Sequence, residues 1–194
     1  QLMKKGQSPT NKDVVTSMEY DKYGRVVKEY IPVEGTGATG TFMPIQPTWK
    51  HSLTTYESSP LSRKLSTLQP DWYATTYEYG SNVTSADGTI ADPKTGYTYP
   101  QNSLFKTIAI DPHNNKTISF TDKKGRTILS ASYNGTTLAA TPAADKKITM
   151  SVYDLKDRTE AVVVPGASWT STDLNYYYSY DADDKMIYKK LPSR

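Results

Sequence analysis

Aromatic and β-branched residues alternate with polar ones over short stretches of this chain, and compact polar clusters separate the stretches. A two-residue period over five to eight residues marks a half-buried strand. The pattern predicts strands over residues 14–20, 25–33, 72–79, 105–110, 116–120, 126–133, 147–153, 158–164, 174–180 and 185–191. The clusters between them are turn-forming: residues 21–24, 111–115 and 122–125, Asn134-Gly135 and Pro165-Gly166. Asp suits the start of a turn because its carboxylate accepts backbone N–H groups, and Gly suits the end because it tolerates positive φ. One short helix is predicted over residues 59–68, with Ser59 as its cap and Pro60 at its first position. Residues 1–16 are polar and read as a flexible N-terminal arm. Residues 17–194 read as one β-sheet region with a long insertion at about 34–103. That insertion holds a Gly-rich connector, a Pro-bearing stretch, and a surface loop or small hairpin over 81–102. The expected fold class is all-β, a twisted antiparallel meander with little helix.

Within this pattern a phrase recurs. Tyr20-Asp21-Lys22-Tyr23-Gly24-Arg25 reads as aromatic, Asp, two variable residues, Gly and a basic residue. Asp122-Lys123-Lys124-Gly125-Arg126 repeats it, with Phe120 just upstream. Tyr153-Asp154-Leu155-Lys156-Asp157-Arg158 and Tyr180-Asp181-Ala182-Asp183-Asp184-Lys185 are looser copies, with Asp in the place of Gly. The Asp111 turn lies 11 residues before Asp122. Unequal spacing argues against a rigid-period solenoid and for a sheet that grows by hairpins and tolerates insertions. Repeated strand–turn–strand units point to a scaffold rather than a catalyst.

These phrases resemble the YD repeat of the Rhs family of large bacterial secreted proteins. The similarity extends over residues 17–33 and 104–192 and, more faintly, 72–80. It implies hairpins laid side by side in a long β-sheet of an extracytoplasmic protein. In that family such sheets spiral into hollow shells around a cargo. At 194 residues this chain is too short to close a shell by itself, so encapsulation is not carried over. A repeat-region fragment of a larger protein is the expectation.

Composition sharpens the picture in a few places. The 16 tyrosines supply large rings that tolerate half-burial and favour strands. Cysteine is absent, which excludes disulfides, a thiolate nucleophile and a zinc knuckle. The net charge is +3 and the basic residues are scattered, so no nucleic-acid patch is expected. No apolar stretch approaches the roughly 20 residues of a membrane-spanning helix. The chain opens on Gln1 rather than Met, as after removal of an upstream segment. The location expected is periplasm, cell surface or medium.

Candidate chemistry is sparse. The turn aspartates Asp21, Asp111, Asp122, Asp154 and Asp181 are expected to shape bends rather than bind a metal or transfer protons. Arg25, Arg126, Arg158 and Lys185 close the repeats and are expected to form exposed ion pairs, for example across the strand with Glu19. His51 and His113 have no second ligand at metal-binding spacing, and no Gly-x-Ser-x-Gly elbow occurs. No catalytic residue, metal or cofactor is therefore assigned, and the chain is not expected to be an enzyme. Trp49, Trp72, Trp169, Tyr176 and Tyr178 are the candidate ligand-surface aromatics, which makes a carbohydrate-binding module the alternative. A protein partner, or self-association through the terminal strand edges, is also expected. Asn82, Asn115 and Asn134 open glycosylation-type triplets, read as fortuitous in a bacterial protein.

Overall fold

A computed structural model describes residues 2–38 and 40–193. The chain divides into two compact units, Gln1–Tyr77 and Glu78–Arg194. Its fold is all-β, as the alternation requires.

The first unit contains β1 (Leu2–Lys4), β2 (Val14–Thr16), β3 (Met18–Tyr20), β4 (Val26–Tyr30), β5 (Val33–Glu34), β6 (His51–Tyr56) and β7 (Lys64–Leu68). It also contains the start of β8 (Ala74–Ser81). Strands β1, β2 and β5 form a small sheet, and β3, β4, β6, β7 and β8 follow one another in a second. The expected arm is thus built into structure: Met3 lies opposite Val15 in the β1–β2 ladder, and Val15 is fully buried. The expected strand over 14–20 is divided at buried Ser17, whose carbonyl accepts the Tyr30 amide. The expected strand over 25–33 is interrupted at Pro32, which has no N–H to give a ladder. Asp13, also buried, ties the small sheet to the Gly-rich connector. Its carboxylate accepts the Gly6 and Gly40 amides at 3.1 and 2.7 Å, and its carbonyl accepts the Gly35 amide.

Residues 34–103 are not an insertion into the sheet, because they supply β6, β7 and β8. Nor is there a helix over 59–68. Ser59 does behave as a turn starter, its hydroxyl accepting the Leu61 amide, but the bend ends at Arg63. Lys64–Leu68 then pairs with β6 on one side and β8 on the other, with Leu68 opposite Leu53 and Ala74. Two ladders of backbone hydrogen bonds outweigh the weak helical preference of a short segment.

In the second unit the end of β8 is followed by α1 (Thr84–Asp87), β9 (Phe105–Ile110), β10 (Lys116–Thr121) and β11 (Thr127–Tyr133). After a 3-10 turn come β12 (Lys146–Tyr153), β13 (Thr159–Val163), β14 (Tyr176–Tyr180) and β15 (Met186–Lys190). From β9 to β15 each strand pairs antiparallel with the next, an uninterrupted meander. Alternation places Ile118 and Phe120 of β10 opposite Ala131 and Leu129 of β11, all buried on one face. Ile90, Leu104 and Leu138 from the connecting loops complete this cluster. A smaller cluster joins Val152, Ala161 and Val163, with Trp169 and Tyr177 packed against it.

The excursion over 82–104 is more than a surface loop. Buried Asn82 clamps its two ends, its side chain accepting the Leu104 amide at 2.9 Å and donating to the Pro100 carbonyl at 2.8 Å. This burial also removes the Asn82 triplet as an accessible glycosylation site. Asn175 closes the 164–175 loop in the same way, donating to the Ser168 carbonyl at 2.8 Å. At the far side of this unit β15 pairs with β14, and Met186, Ile187 and Tyr188 are more than half exposed.

Candidate functional site

The recurrent phrase folds into one kind of bend. At Asp21 the starting residue's N–H donates to the carbonyl four residues on, and its carbonyl accepts the amide three residues on. The bends beginning at Asp111, Asp122, Asp154 and Asp181 have the same two bonds. This is a type I turn followed by a left-handed residue that makes a one-residue bulge. The left-handed position holds Gly24, Asn114, Gly125, Asp157 and Asp184, with φ between 62° and 82°. In each bend one carboxylate oxygen accepts two amides, such as Lys124 and Arg126 at Asp122, both within 3.0 Å.

The basic residue then binds back onto the same aspartate. Arg25, Arg126 and Arg158 each donate Nε to their own Asp at 2.7–2.8 Å, with a second guanidinium nitrogen 2.6–2.7 Å away. The expected cross-strand pairing with Glu19 does not occur; Glu19 is held by Lys28 at 2.9 Å and by the Tyr30 hydroxyl. At Asp111 the arginine's place is taken by Asn115, whose side-chain amide donates at 2.8 Å. At Asp181 the closing residue, Lys185, contributes its backbone amide.

Within each unit the bends are also linked to one another. The Arg126 guanidinium lies 4.8 Å from the ring centroid of Tyr153, and that of Arg158 lies 4.6 Å from Tyr180. The Tyr153 and Tyr180 hydroxyls donate to the Thr127 and Thr159 carbonyls, one residue past each arginine. The free guanidinium nitrogen of Arg126 reaches Asp157 at 2.5 Å, and that of Arg158 reaches Asp184 at 2.6 Å. Lys124 and Lys156 bind the same two acceptors. The Asp that replaces Gly in the looser copies therefore receives the preceding repeat's cations. In the first unit Arg25 stacks 4.6 Å from Tyr56, whose hydroxyl donates to the Val26 carbonyl. Tyr20 is exposed and touches Met18.

Two bends of this kind escaped sequence reading. Glu57 to Arg63 is the same device with two extra residues: Ser62 takes the left-handed position and Arg63 binds the Glu57 carboxylate at 2.8 Å. Gln69 to Tyr73 has the two bonds without the aspartate, and Trp72 occupies the left-handed position at φ 66°. Pro70, at the second position of a type I turn, was the available signal. A bulky side chain in that conformation costs about 1–2 kcal/mol relative to Gly.

The electrostatics follow from these contacts. The Arg63 guanidinium, with help from the Ser59 hydroxyl, holds the Glu57 carboxyl down to about 2. At Asp21, Asp122 and Asp154 partial burial opposes ionisation. The arginine and the turn amides outweigh it and keep each carboxyl below its ordinary value. Asn115 lowers Asp111, and Lys156 lowers Asp184. A carboxyl depressed in the folded state stabilises the fold above its unfolded value, and that contribution vanishes as pH falls through its folded value. Thermal melts followed by circular dichroism are therefore expected to change little between pH 7 and 5. The midpoint should then drop steeply from about pH 4.5 towards 2. A flat midpoint down to pH 3 would contradict the ladder.

The candidate aromatics do not form one platform. Trp169 packs edge-on against Tyr177 at 5.8 Å, inside the second unit's smaller cluster. Tyr176 and Tyr178 lie half-buried beside Lys189. Trp49 and Trp72 both line a cleft in the first unit of about 760 Å³, whose lining also includes His51, Gln69, Asp71 and Tyr73. His51 Nδ1 sits 3.1 Å from the Trp49 carbonyl, and the Tyr30 ring contacts both side chains. His113 is exposed on the Asp111 bend. Among the described residues no group of three His, Asp or Glu is placed to hold a metal, and no helix is long and apolar enough to cross a membrane.

A family profile described as a domain of unknown function, DUF6443, matches residues 1–85. No curated protein matches the chain. Among solved structures, the TcdB2–TccC3 crystal structure is similar, with a TM-score of 0.56 and 16% identity over 94% of this chain. A mutant Tc holotoxin pore of Photorhabdus luminescens is similar too, with a TM-score of 0.54 and 18% identity over 93% of this chain. In both cases the match covers 8% of the other chain, so this chain spans a small part of the structures it resembles. At these identities the likeness establishes the fold, a β-sheet of the kind found in Tc toxin components.

Proposed function

We propose that this chain is a non-enzymatic YD-repeat scaffold of an exported bacterial protein, presenting or shielding a protein partner or cargo. The observation that carries this reading is the consumption of the recurrent aspartates and arginines by the bends. Asp21, Asp122 and Asp154 each hold two backbone amides and a guanidinium. Carboxylates so engaged and so acidified are poor proton carriers at neutral pH. The linked Arg–Tyr contacts stiffen a meander, which suits a wall or platform. The similarity to parts of Tc toxin assemblies supports a role inside a multi-component, secreted complex. The outer strand β15, with exposed Met186, Ile187 and Tyr188, is the edge through which a protein partner would add.

Cell fractionation of the native host, with affinity purification of the natural protein, tests this reading. The expected result is recovery from the extracytoplasmic fraction together with a second polypeptide. Cytosolic recovery of the protein alone would count against it. So would turnover of ester, glycoside or peptide substrates that is lost in His51→Ala or His113→Ala.

A further inference from the structure

The cleft in the first unit combines features that the scaffold reading leaves unused. Trp72 fills a left-handed position that the equivalent bends give to Gly, Asn, Asp or Ser, none of them a bulky side chain. It gains no packing there, for the residue is 80% exposed. A strained residue with no structural return points to a use for the side chain itself. Tyr73, 59% exposed, stands beside it. Trp49, which also lines the cleft, packs edge-on against the Tyr30 ring at 6.3 Å. Polar groups converge on the same space. Lys50 and Asp71 face each other at 3.6 Å, both mostly exposed, and the Gln69 and His51 side chains line the cleft. The Lys50–Asp71 pair cancels its own charge, so the rim offers donors and acceptors without attracting an ion. A volume of about 760 Å³ suits a small ligand.

We infer that this cleft is a binding site for a neutral, β-linked oligosaccharide. The exposed indole of Trp72 offers a flat apolar face for the axial C–H groups of a pyranose ring. Asp71 and Gln69 accept hydrogen bonds from ring hydroxyls, and Lys50 donates to them. Equatorial hydroxyls point outward in the ring plane, towards such a rim. The inference is independent of the scaffold reading, since none of these groups belongs to the Asp–Arg bends.

The whole chain is titrated with cellotetraose and with chitotetraose, followed by tryptophan fluorescence and calorimetry. Decaproline serves as the peptide competitor. Saturable binding of at least one saccharide is expected, weakened about tenfold or more in Trp72→Gly and unchanged in Trp169→Phe. Trp72→Gly should also melt at a higher temperature than the parent, because glycine relieves the left-handed strain. Loss of binding in a more stable protein separates recognition from folding. The proposal is overturned if neither saccharide binds, if Trp72→Gly binds as tightly as the parent, or if that variant melts lower. Binding of decaproline in place of the saccharides would assign the cleft to a proline-rich peptide and overturn it equally.

Discussion

Lys106→Met is expected to destabilise the protein by about 3–5 kcal/mol. The reason is the partner left behind. The Asp87 side chain is only 3% exposed, at the end of α1, and Lys106 of β9 binds both of its oxygens at 3.1 and 3.2 Å. The Val83 amide adds a third bond at 2.7 Å. Methionine keeps the bulk of the lysine stem but removes the charge, so the Asp87 carboxyl either stays buried without its cation or pulls α1 open. Each outcome weakens the 82–104 excursion, which carries core residues Ile90 and Leu104. Denaturant unfolding checks the prediction. Lys106→Arg should lose much less, and pairing Lys106→Met with Asp87→Leu should recover part of the loss, because no buried charge then remains. A Lys106→Met midpoint within error of the parent would show that water reaches Asp87 freely.

The Asp87–Lys106 pair also marks where sequence reading runs out. Strands β9 to β15 were legible because their alternation is local and four of their six connections open on an Asp, which signals its own turn. The bends at Glu57 and Gln69 use the same backbone hydrogen bonds but lack that signal. Two added residues disguise the first, and Trp72 in place of glycine disguises the second. With those bends hidden, β6 and β7 read as an insertion and a helix, although the strand expected over 72–79 is found as β8. Asp13, Asn82, Asp87 and Asn175 were invisible for another reason. Each is a lone polar residue in a polar stretch, and its partner is supplied by the tertiary fold, as Leu104 is for Asn82, 22 positions away. The aromatic candidates divide on the same ground. Nothing in their spacing separates Trp169, which packs on Tyr177, from Trp49 and Trp72, which share a cleft.

Asp122→Ala is the second large effect, expected to cost about 3 kcal/mol, against about 1 kcal/mol for Asp122→Asn. Alanine removes the acceptor of the Lys124 and Arg126 amides and leaves a three-quarters-buried guanidinium with Asp157 as its remaining carboxylate partner. Asparagine keeps an oxygen for the two amides but turns its NH2 towards the guanidinium, and so loses the ion pair with Arg126. The contrast between the two variants therefore measures backbone shaping apart from ion pairing. A cycle with Arg126→Met extends the test along the ladder. If Arg126 couples one bend to the next, Arg126→Met should loosen the Tyr153 ring and the Asp157 turn, read as faster amide exchange at residues 154–158. Exchange that quickens only at residues 122–126 would show instead that each bend stands alone. The meander would then be a row of independent hairpins rather than a stiffened wall. Equal losses in Asp122→Ala and Asp122→Asn would show that charge, not turn geometry, is what the recurrent aspartate supplies.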